Sequence, residues 1–167
     1  QCKLTAGVDS AGNITGFKMR ISGQSILASV LPTLMVNGAD LLTMQGLLPV
    51  GHDRFPDQAI SYSFENLLVD HAMRNTHVPP GFWRGVNANQ NAIYMECFID
   101  ELARATGADP LAFRRQLMAN HPKHLAVLNA AAAKGGWGTP LPAGRQRGVA
   151  QFMGYGSYSA AVAEVSV

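Results

Sequence analysis

Residues 77–105 read H-V-P-P-G-F-W-R-G-V-N-A-N-Q-N-A-I-Y-M-E-C-F-I-D-E-L-A-R-A. The stretch divides in two. Pro79, Pro80, Gly81 and Gly85 exclude regular structure from its first half, and the paired prolines stiffen the chain there. In its second half Ala92, Met95, Ile99, Leu102 and Ala103 recur at helical spacing, with Ile93, Cys97 and Phe98 widening the apolar stripe. Asn87 or Asn89 is placed to cap the helix start, and Gly107 to end it. A stiff loop therefore feeds a buried helix, and the loop carries Arg84 between Trp83 and Gly85. Glycine lets backbone N–H groups approach a ligand, and a helix start adds unpaired donors and the positive dipole end. This combination suits an anion such as a phosphate or an oxyanionic metal centre. The competing reading is a structural loop whose Arg84 pairs with a carboxylate elsewhere.

Working outward, residues 2–8 alternate apolar and polar, and residues 14–21 do so again across the turn-forming Asp9-Ser10-Ala11-Gly12-Asn13. That is a β-hairpin. Ser25 is placed to cap a short helix that Pro32 breaks, and residues 40–47 suit another turn or two of helix. The run G-L-L-P-V-G-H-D-R-F-P at 46–56 reads as a surface excursion. Residues 66–73 form a strand that enters the Arg84 loop. Asp109-Pro110 opens a second helix with Leu111, Phe113, Leu117 and Met118 on its apolar side. Pro122 opens a third that runs to Lys134. Strands at 147–153 and 157–167 follow, with Gly154-Tyr155-Gly156 as a bend or bulge between them. The order predicts an α+β fold: a mixed or antiparallel sheet with about three helices on one face, in a single domain spanning 1–167.

The chain has 167 residues, 47% of them apolar and only 14% charged. So low a charge density implies surfaces that pack against more protein. A net charge of +2, with no Lys/Arg run, argues against nucleic acid as a partner. No apolar run is long enough for a transmembrane segment, and the N-terminus lacks a signal-peptide pattern. The chain starts and stops inside strand-like sequence, which leads us to expect a piece of a longer protein. Cys2 and Cys97 both fall on apolar faces and are expected to be buried, without metal-ligand spacing.

Glu96 falls inside the apolar stripe of the 88–105 helix. It is either a catalytic base or an anchor for the loop, paired with Arg84 or with a backbone donor. Asp100 and Arg104 are spaced as an i,i+4 pair. His121 and His124 share a helix-end face, but two imidazoles without an acidic or cysteine partner are weak grounds for zinc. Ser61, Ser63 and Ser157 lack a nucleophile context, and Gly154-x-Gly156 is not followed by the helix a dinucleotide fingerprint needs.

The segment G-F-W-R-G-V-N-A-N-Q-N-A-I-Y-M-E-C-F-I-D-E-L-A resembles the cofactor loop and following helix of the molybdenum hydroxylases, the xanthine-oxidase-like family. It is closest to the large subunits of isoquinoline 1-oxidoreductase and aldehyde-dehydrogenase-like members. The family's loop reads aromatic-Arg-Gly-aromatic-Gly with Gln six residues after the Arg; Trp83, Arg84, Gly85 and Gln90 fit, while Val86 and Asn87 depart. The D-P-L-x-F-R-R helix start and the G-R-x-R-G-V-A and A-E-V-S-V segments follow in the expected order. The resemblance implies that Phe82, Trp83, Arg84 and Gly85 lie near the molybdenum–dithiolene and that Gln90 approaches the pterin or its phosphates. Val86 would stand in the substrate pocket where purine-oxidising members place an aromatic, which puts a purine substrate in doubt.

It implies further a molybdenum–molybdopterin cytosine dinucleotide cofactor, a 2Fe-2S small subunit, and the rest of the large subunit as partners. The activity implied is an oxidoreductase that hydroxylates N-heteroaromatics or oxidises aldehydes, with water as the oxygen source. The family's glycine-rich loop and its water-activating glutamate should lie in other parts of the protein, so no catalytic or metal-ligating residue is expected here, and the chain alone is expected to be inactive. Two alternatives stand beside this reading. One is a non-catalytic interaction or scaffold domain that retained the fold. The other is a binder of phosphorylated metabolites through the Arg84 loop.

Overall fold

A computed structural model describes residues 1–49 and 59–166. Most of the excursion at 46–56, and Val167, lie outside the described residues. Strands β1 (Cys2–Val8) and β2 (Ile14–Gly23) form the hairpin. Its turn is held by Asp9, whose Oδ1 accepts from the N–H groups of Ala11 and Asn13 at 2.9 and 2.8 Å. The alternation in β2 is carried through: Phe17, Met19 and Ile21 are buried while Lys18 and Arg20 are exposed. Strand β3 (Leu67–Met73) then pairs with β2 in parallel. A parallel neighbour requires a long crossover, and the chain from 24 to 66 supplies it. The crossover includes α1 (Ile26–Val30), capped by Ser25 Oγ, and 3-10 turns at Pro32–Leu34 and Leu41–Met44.

Helix α2 (Ala88–Ala105) crosses the molecule beneath this sheet. Met95, Ile99 and Ala103 are fully buried on it, and Phe98 meets Phe17 of β2 edge-on at 5.6 Å. Each large apolar side chain buried in this way contributes about 1.5–3 kcal/mol. Gly107, with φ +71°, ends the helix in the left-handed conformation. Helix α3 (Pro110–Leu117) begins as its sequence predicts, with Asp109 Oδ1 accepting from Leu111 and Ala112 N–H. Helix α4 (Pro122–Lys134) follows.

The last strands, β4 (Arg145–Gly154) and β5 (Ser157–Ser166), pair antiparallel as a separate ribbon. The α+β class with a mixed sheet holds, but the strands divide into two sheets, ordered β1-β2-β3 and β4-β5. Val149, Gln151 and Met153 are the buried positions of β4, and Gln151 meets Glu96 of α2 and His124 of α4. The ribbon packs so closely on α4 that a Cβ on Gly135 would lie 2.6 Å from Val162 Cβ.

Three side-chain expectations are corrected. Cys97 is exposed, and Ile93 is 62% exposed, because the outer face of α2 is not covered by the sheet. Asp100 does not pair with Arg104, whose Nε reaches only the Asp100 carbonyl at 3.3 Å. Its carboxylate is taken by Arg114 of α3 at 2.6 Å.

Gly135 does not adopt a positive φ, so its requirement is steric alone. Gly135→Ala is expected to cost about 1–3 kcal/mol in urea denaturation through overpacking. Adding Val162→Ala should recover most of that loss; a double variant no better than the single one would rule out this contact as the cause.

Candidate functional site

The loop before α2 holds two non-glycine residues in left-handed backbone, Arg84 at φ +46° and Val86 at +53°. For a β-branched residue this region is a genuine outlier, and each position costs on the order of 1–3 kcal/mol. The turn is closed by Val86 N–H donating to Trp83 O at 3.0 Å and Ala88 N–H donating to Gly85 O at 2.9 Å. A Cβ on Gly85 would meet the Asn89 side-chain amide, at 2.3 Å from Oδ1, so a larger residue there requires Asn89 to swing aside. Among the described residues, the N–H groups of Trp83, Arg84 and Gly85 find no acceptor. Arg84 is exposed and forms no ion pair with them. Phe82 and Trp83 are 46% and 77% exposed. The loop thus exposes a cation and two aromatic rings beside three N–H groups that have no acceptor among the described residues.

Asn87 occupies the N-cap position but its side chain does not cap. It donates instead to the Leu42 carbonyl at 2.9 Å, and Asn91, one turn on, donates to Thr43 O and Gln45 O, each at 3.0 Å. The two amides fasten the 41–45 turn to the start of α2. Gln90 Nε2 donates to Asn87 Oδ1 at 2.6 Å, which holds Gln90 at the helix start.

A groove of about 480 Å³ runs from Gly85 along Asn89, Ala92 and Ile93 of α2. Its opposite wall is the tip of the β4–β5 ribbon, including Phe152, Tyr155 and Ser159. Tyr155 and Gly156 both have positive φ, +54° and +75°, as a two-residue hairpin turn requires. The bend at 154–156 is visible in the sequence; that it closes over the Arg84 loop is not. An apolar furrow of about 380 Å³ bounded by Ile93, Cys97, Ala150 and Ala160 continues the groove along α2. Val86 does not line either space.

The two walls are joined through Glu96. Its Oε1 accepts from Tyr62 Oη at 2.6 Å and Gln151 Nε2 at 3.1 Å. Its Oε2 accepts from Arg114 Nε at 3.0 Å and from the Gln151 backbone N–H at 3.1 Å. The expected backbone donor is therefore present, but the cation is Arg114, not Arg84, which lies outward on the loop. Burial pushes the Glu96 pKa up, and Arg114, Tyr62 and Gln151 oppose it. All four partners donate, so a proton on either oxygen would have no acceptor, and the group is held as a carboxylate. Burial and the Glu96 charge push Tyr62 well above the ordinary tyrosine range, keeping its hydroxyl protonated. Burial alone would lower Arg114, but the surrounding oxygens hold it above its ordinary value. Gln151 Nε2 also donates to Ser61 Oγ at 2.7 Å, and its Oε1 lies 2.7 Å from His124 Nδ1.

Sequence reasoning passed over Arg114, Tyr62 and Gln151. A signal existed for Arg114: with Leu111 and Met118 it falls at i, i+3 and i+7 on the apolar face of α3.

The family profile described as molybdopterin cofactor-binding domain matches residues 1–118. A nicotinate dehydrogenase subunit of Pseudomonas putida is 26% identical over 135 residues, covering 81% of this chain and 11% of that protein. The chain thus spans about a tenth of the length of this curated relative. Among solved structures, aldehyde oxidoreductase from Desulfovibrio gigas aligns with 90% of this chain and 17% of its own, at 19% identity and a TM-score of 0.48.

Arg114→Met leaves Glu96 buried without its cation and should cost about 3–5 kcal/mol, read from urea midpoints. Arg114→Met with Glu96→Leu should be more stable than Arg114→Met alone; equal or lower stability would show that the unpaired charge is not the main source of the loss. A pH effect follows from the histidines. Burial lowers the pKa of both His121 and His124, so between those lowered values and the ordinary value of about 6.5 the unfolded chain binds more protons than the folded one. Their contribution is complete above that window and is lost as pH falls through it. The urea midpoint should decline on acidification below about pH 6.5, and His124→Asn should flatten the decline; an unchanged slope would exclude His124 as a source.

Proposed function

We propose, for a chain that belongs to the molybdopterin cofactor-binding domain family, that the groove between the Arg84 loop and the β4–β5 turn is one wall of the site where a molybdenum–pterin cofactor meets a small substrate. The observation that carries this reading is the set of three backbone donors without acceptors among the described residues, beside an exposed guanidinium, in a strained loop whose Gly85 lines the groove. Strain of this kind is retained where surrounding structure enforces it, and it clusters at ligand sites. The donors suit a negatively charged, oxygen-rich group, as a pterin phosphate or an oxo–sulfur metal centre would be.

When bound, the cofactor supplies the oxidising centre that inserts an oxygen from water into a C–H bond and passes on two electrons. The protein's part is positioning. Arg84 and the N–H groups of Trp83 to Gly85 hold the anionic group. Phe82 and Trp83 offer flat apolar surface beside it. Gln90, tied to Asn87, leaves its carbonyl oxygen for a pterin N–H. Val86, which lines neither the groove nor the furrow, stands on the loop where purine-oxidising members carry a ring. Glu96 anchors α2 to β4 and so sets the width of the groove. Its four donors leave it no role as a base, and the proton-transferring group belongs to another part of the protein.

The full reading is one domain of the large subunit of a molybdenum hydroxylase. That subunit would bind the cytosine dinucleotide form of the cofactor and pass electrons to a 2Fe-2S small subunit. The substrate class is a nitrogen heteroaromatic, in keeping with the curated relative's name, nicotinate dehydrogenase; an aldehyde is the second class.

In the complete, assembled enzyme, Arg84→Ala should lower the molybdenum content measured by mass spectrometry and reduce turnover by about a hundredfold or more, the scale of losing one charge-stabilising contact. Arg84→Lys should keep more molybdenum than Arg84→Ala. Full molybdenum content and unaltered turnover in Arg84→Ala would overturn the assignment.

A further inference from the structure

The start of α4 carries a second cluster that the groove does not use. His121 and His124 line a cleft of about 240 Å³ together with Asn120, Lys123 and Tyr158. The hydrogen-bond network fixes the protonation of one of them. Gln151 Nε2 faces the Glu96 carboxylate and Ser61 Oγ, and a carboxylate requires a donor there. The Gln151 carbonyl oxygen therefore faces His124 Nδ1 at 2.7 Å, and Nδ1 must carry the hydrogen. In the neutral ring the lone pair then sits on Nε2, the other nitrogen of a side chain that lines the cleft. An imidazole with its Nδ1–H held by an oxygen acceptor is the arrangement that orients and strengthens a metal-binding histidine.

His121 is held in a complementary way. Its Nε2 lies 3.0 Å from Ser63 Oγ, and although it occupies the N-cap of α4 its side chain makes no capping bond, so Nδ1 has no partner among the described residues. The two ring centroids are 6.1 Å apart at 80°. Two imidazoles sharing one ion at about 2.0–2.1 Å from each nitrogen have centroids about 5–6 Å apart, close to the separation seen here.

We infer that this cleft is a binding site for one borderline divalent cation of the zinc or copper class, held by His124 Nε2 and His121 Nδ1. Among the described residues no three His, Cys, Asp or Glu side chains gather at one point, so water completes the coordination. Among the described residues the cleft lining holds imidazoles and no carboxylate, which favours zinc or copper over Mg2+ and Ca2+. The Lys123 ammonium, 5.4 Å from the Tyr158 ring centroid, stands at the rim and limits the affinity. The site is independent of the proposed cofactor groove and does not rest on it.

Titrating the purified chain with Zn2+ by calorimetry, and with Cu2+ followed by electron paramagnetic resonance, tests this. The expected result is one equivalent bound, with nitrogen hyperfine structure from two imidazoles and no response to Mg2+. His121→Ala and His124→Asn should each weaken binding by at least about tenfold, and Ser63→Ala should weaken it less. His121 is only partly buried, so His121→Ala remains informative even where His124→Asn destabilises the fold. Undiminished binding in His121→Ala, or no stoichiometric binding by the parent chain, would overturn the site.

Discussion

Arg114 has no exposed surface, and its guanidinium reaches Glu96 at 3.0 Å and Asp100 at 2.6 Å across the gap between α3 and α2. A buried cation of this size is tolerated only where anions and carbonyls surround it. Those partners are drawn from one face of α2, so the angle and depth at which α3 docks are set by the pair. Glu96 in turn reaches the opposite way, to the backbone of β4 and to Tyr62. Segments from four parts of the chain therefore meet at one carboxylate. A hydrophobic contact could hold these elements together with equal strength, but it would not fix their relative position as closely, because apolar packing has little directionality.

The groove depends on that fixity. One wall is the exposed edge of α2 and the other is the tip of the β4–β5 ribbon, and the Glu96–Gln151 contacts are what connect them. At the groove's mouth the Arg84 loop is braced from below. Asn87 and Asn91 fasten the helix start to the turn at 41–45, and the Asn89 side chain lies directly over Gly85. A loop held in two left-handed residues would relax without such bracing. Within the N-A-N-Q-N run, Asn87 and Asn91 clamp the turn at 41–45 from one face of the helix, and Gln90 is tied back to Asn87. Beyond the groove, the exposed Ile93 and Cys97 follow from the same layout: the ribbon stands away from α2 there and leaves an apolar furrow.

Much of the local structure is legible because it is written in short-range chemistry. The first hairpin follows from strict alternation about a turn of Asp, Gly and Asn. The starts of α3 and α4 follow from Pro at the first helical position, and the end of α2 from Gly107. The resemblance to molybdenum hydroxylases is likewise a property of residues in order, and the family match over 1–118 agrees with it. Where reasoning from the chain fell short, the missing quantity was a partner's position. Cys97 and Ile93 lie on an apolar stripe in sequence, but the stripe is wider than the surface available to bury it. Asp100 has Arg104 one turn away, yet a better-placed guanidinium arrives from another helix.

By itself, then, the sequence determined which segments are helix and strand, the α+β class, the family, and the loop that carries Arg84, since each of these rests on local spacing and on the order of short motifs. Tertiary structure alone decided that the strands divide into two sheets, that Glu96 answers Arg114 rather than Arg84, and that the turn at 154–157 closes a groove over the loop. Those outcomes rest on pairs far apart in the chain, such as Glu96 with Gln151. Which of several available partners a buried charge accepts is settled by where the backbone has already brought them, and periodicity carries no record of that.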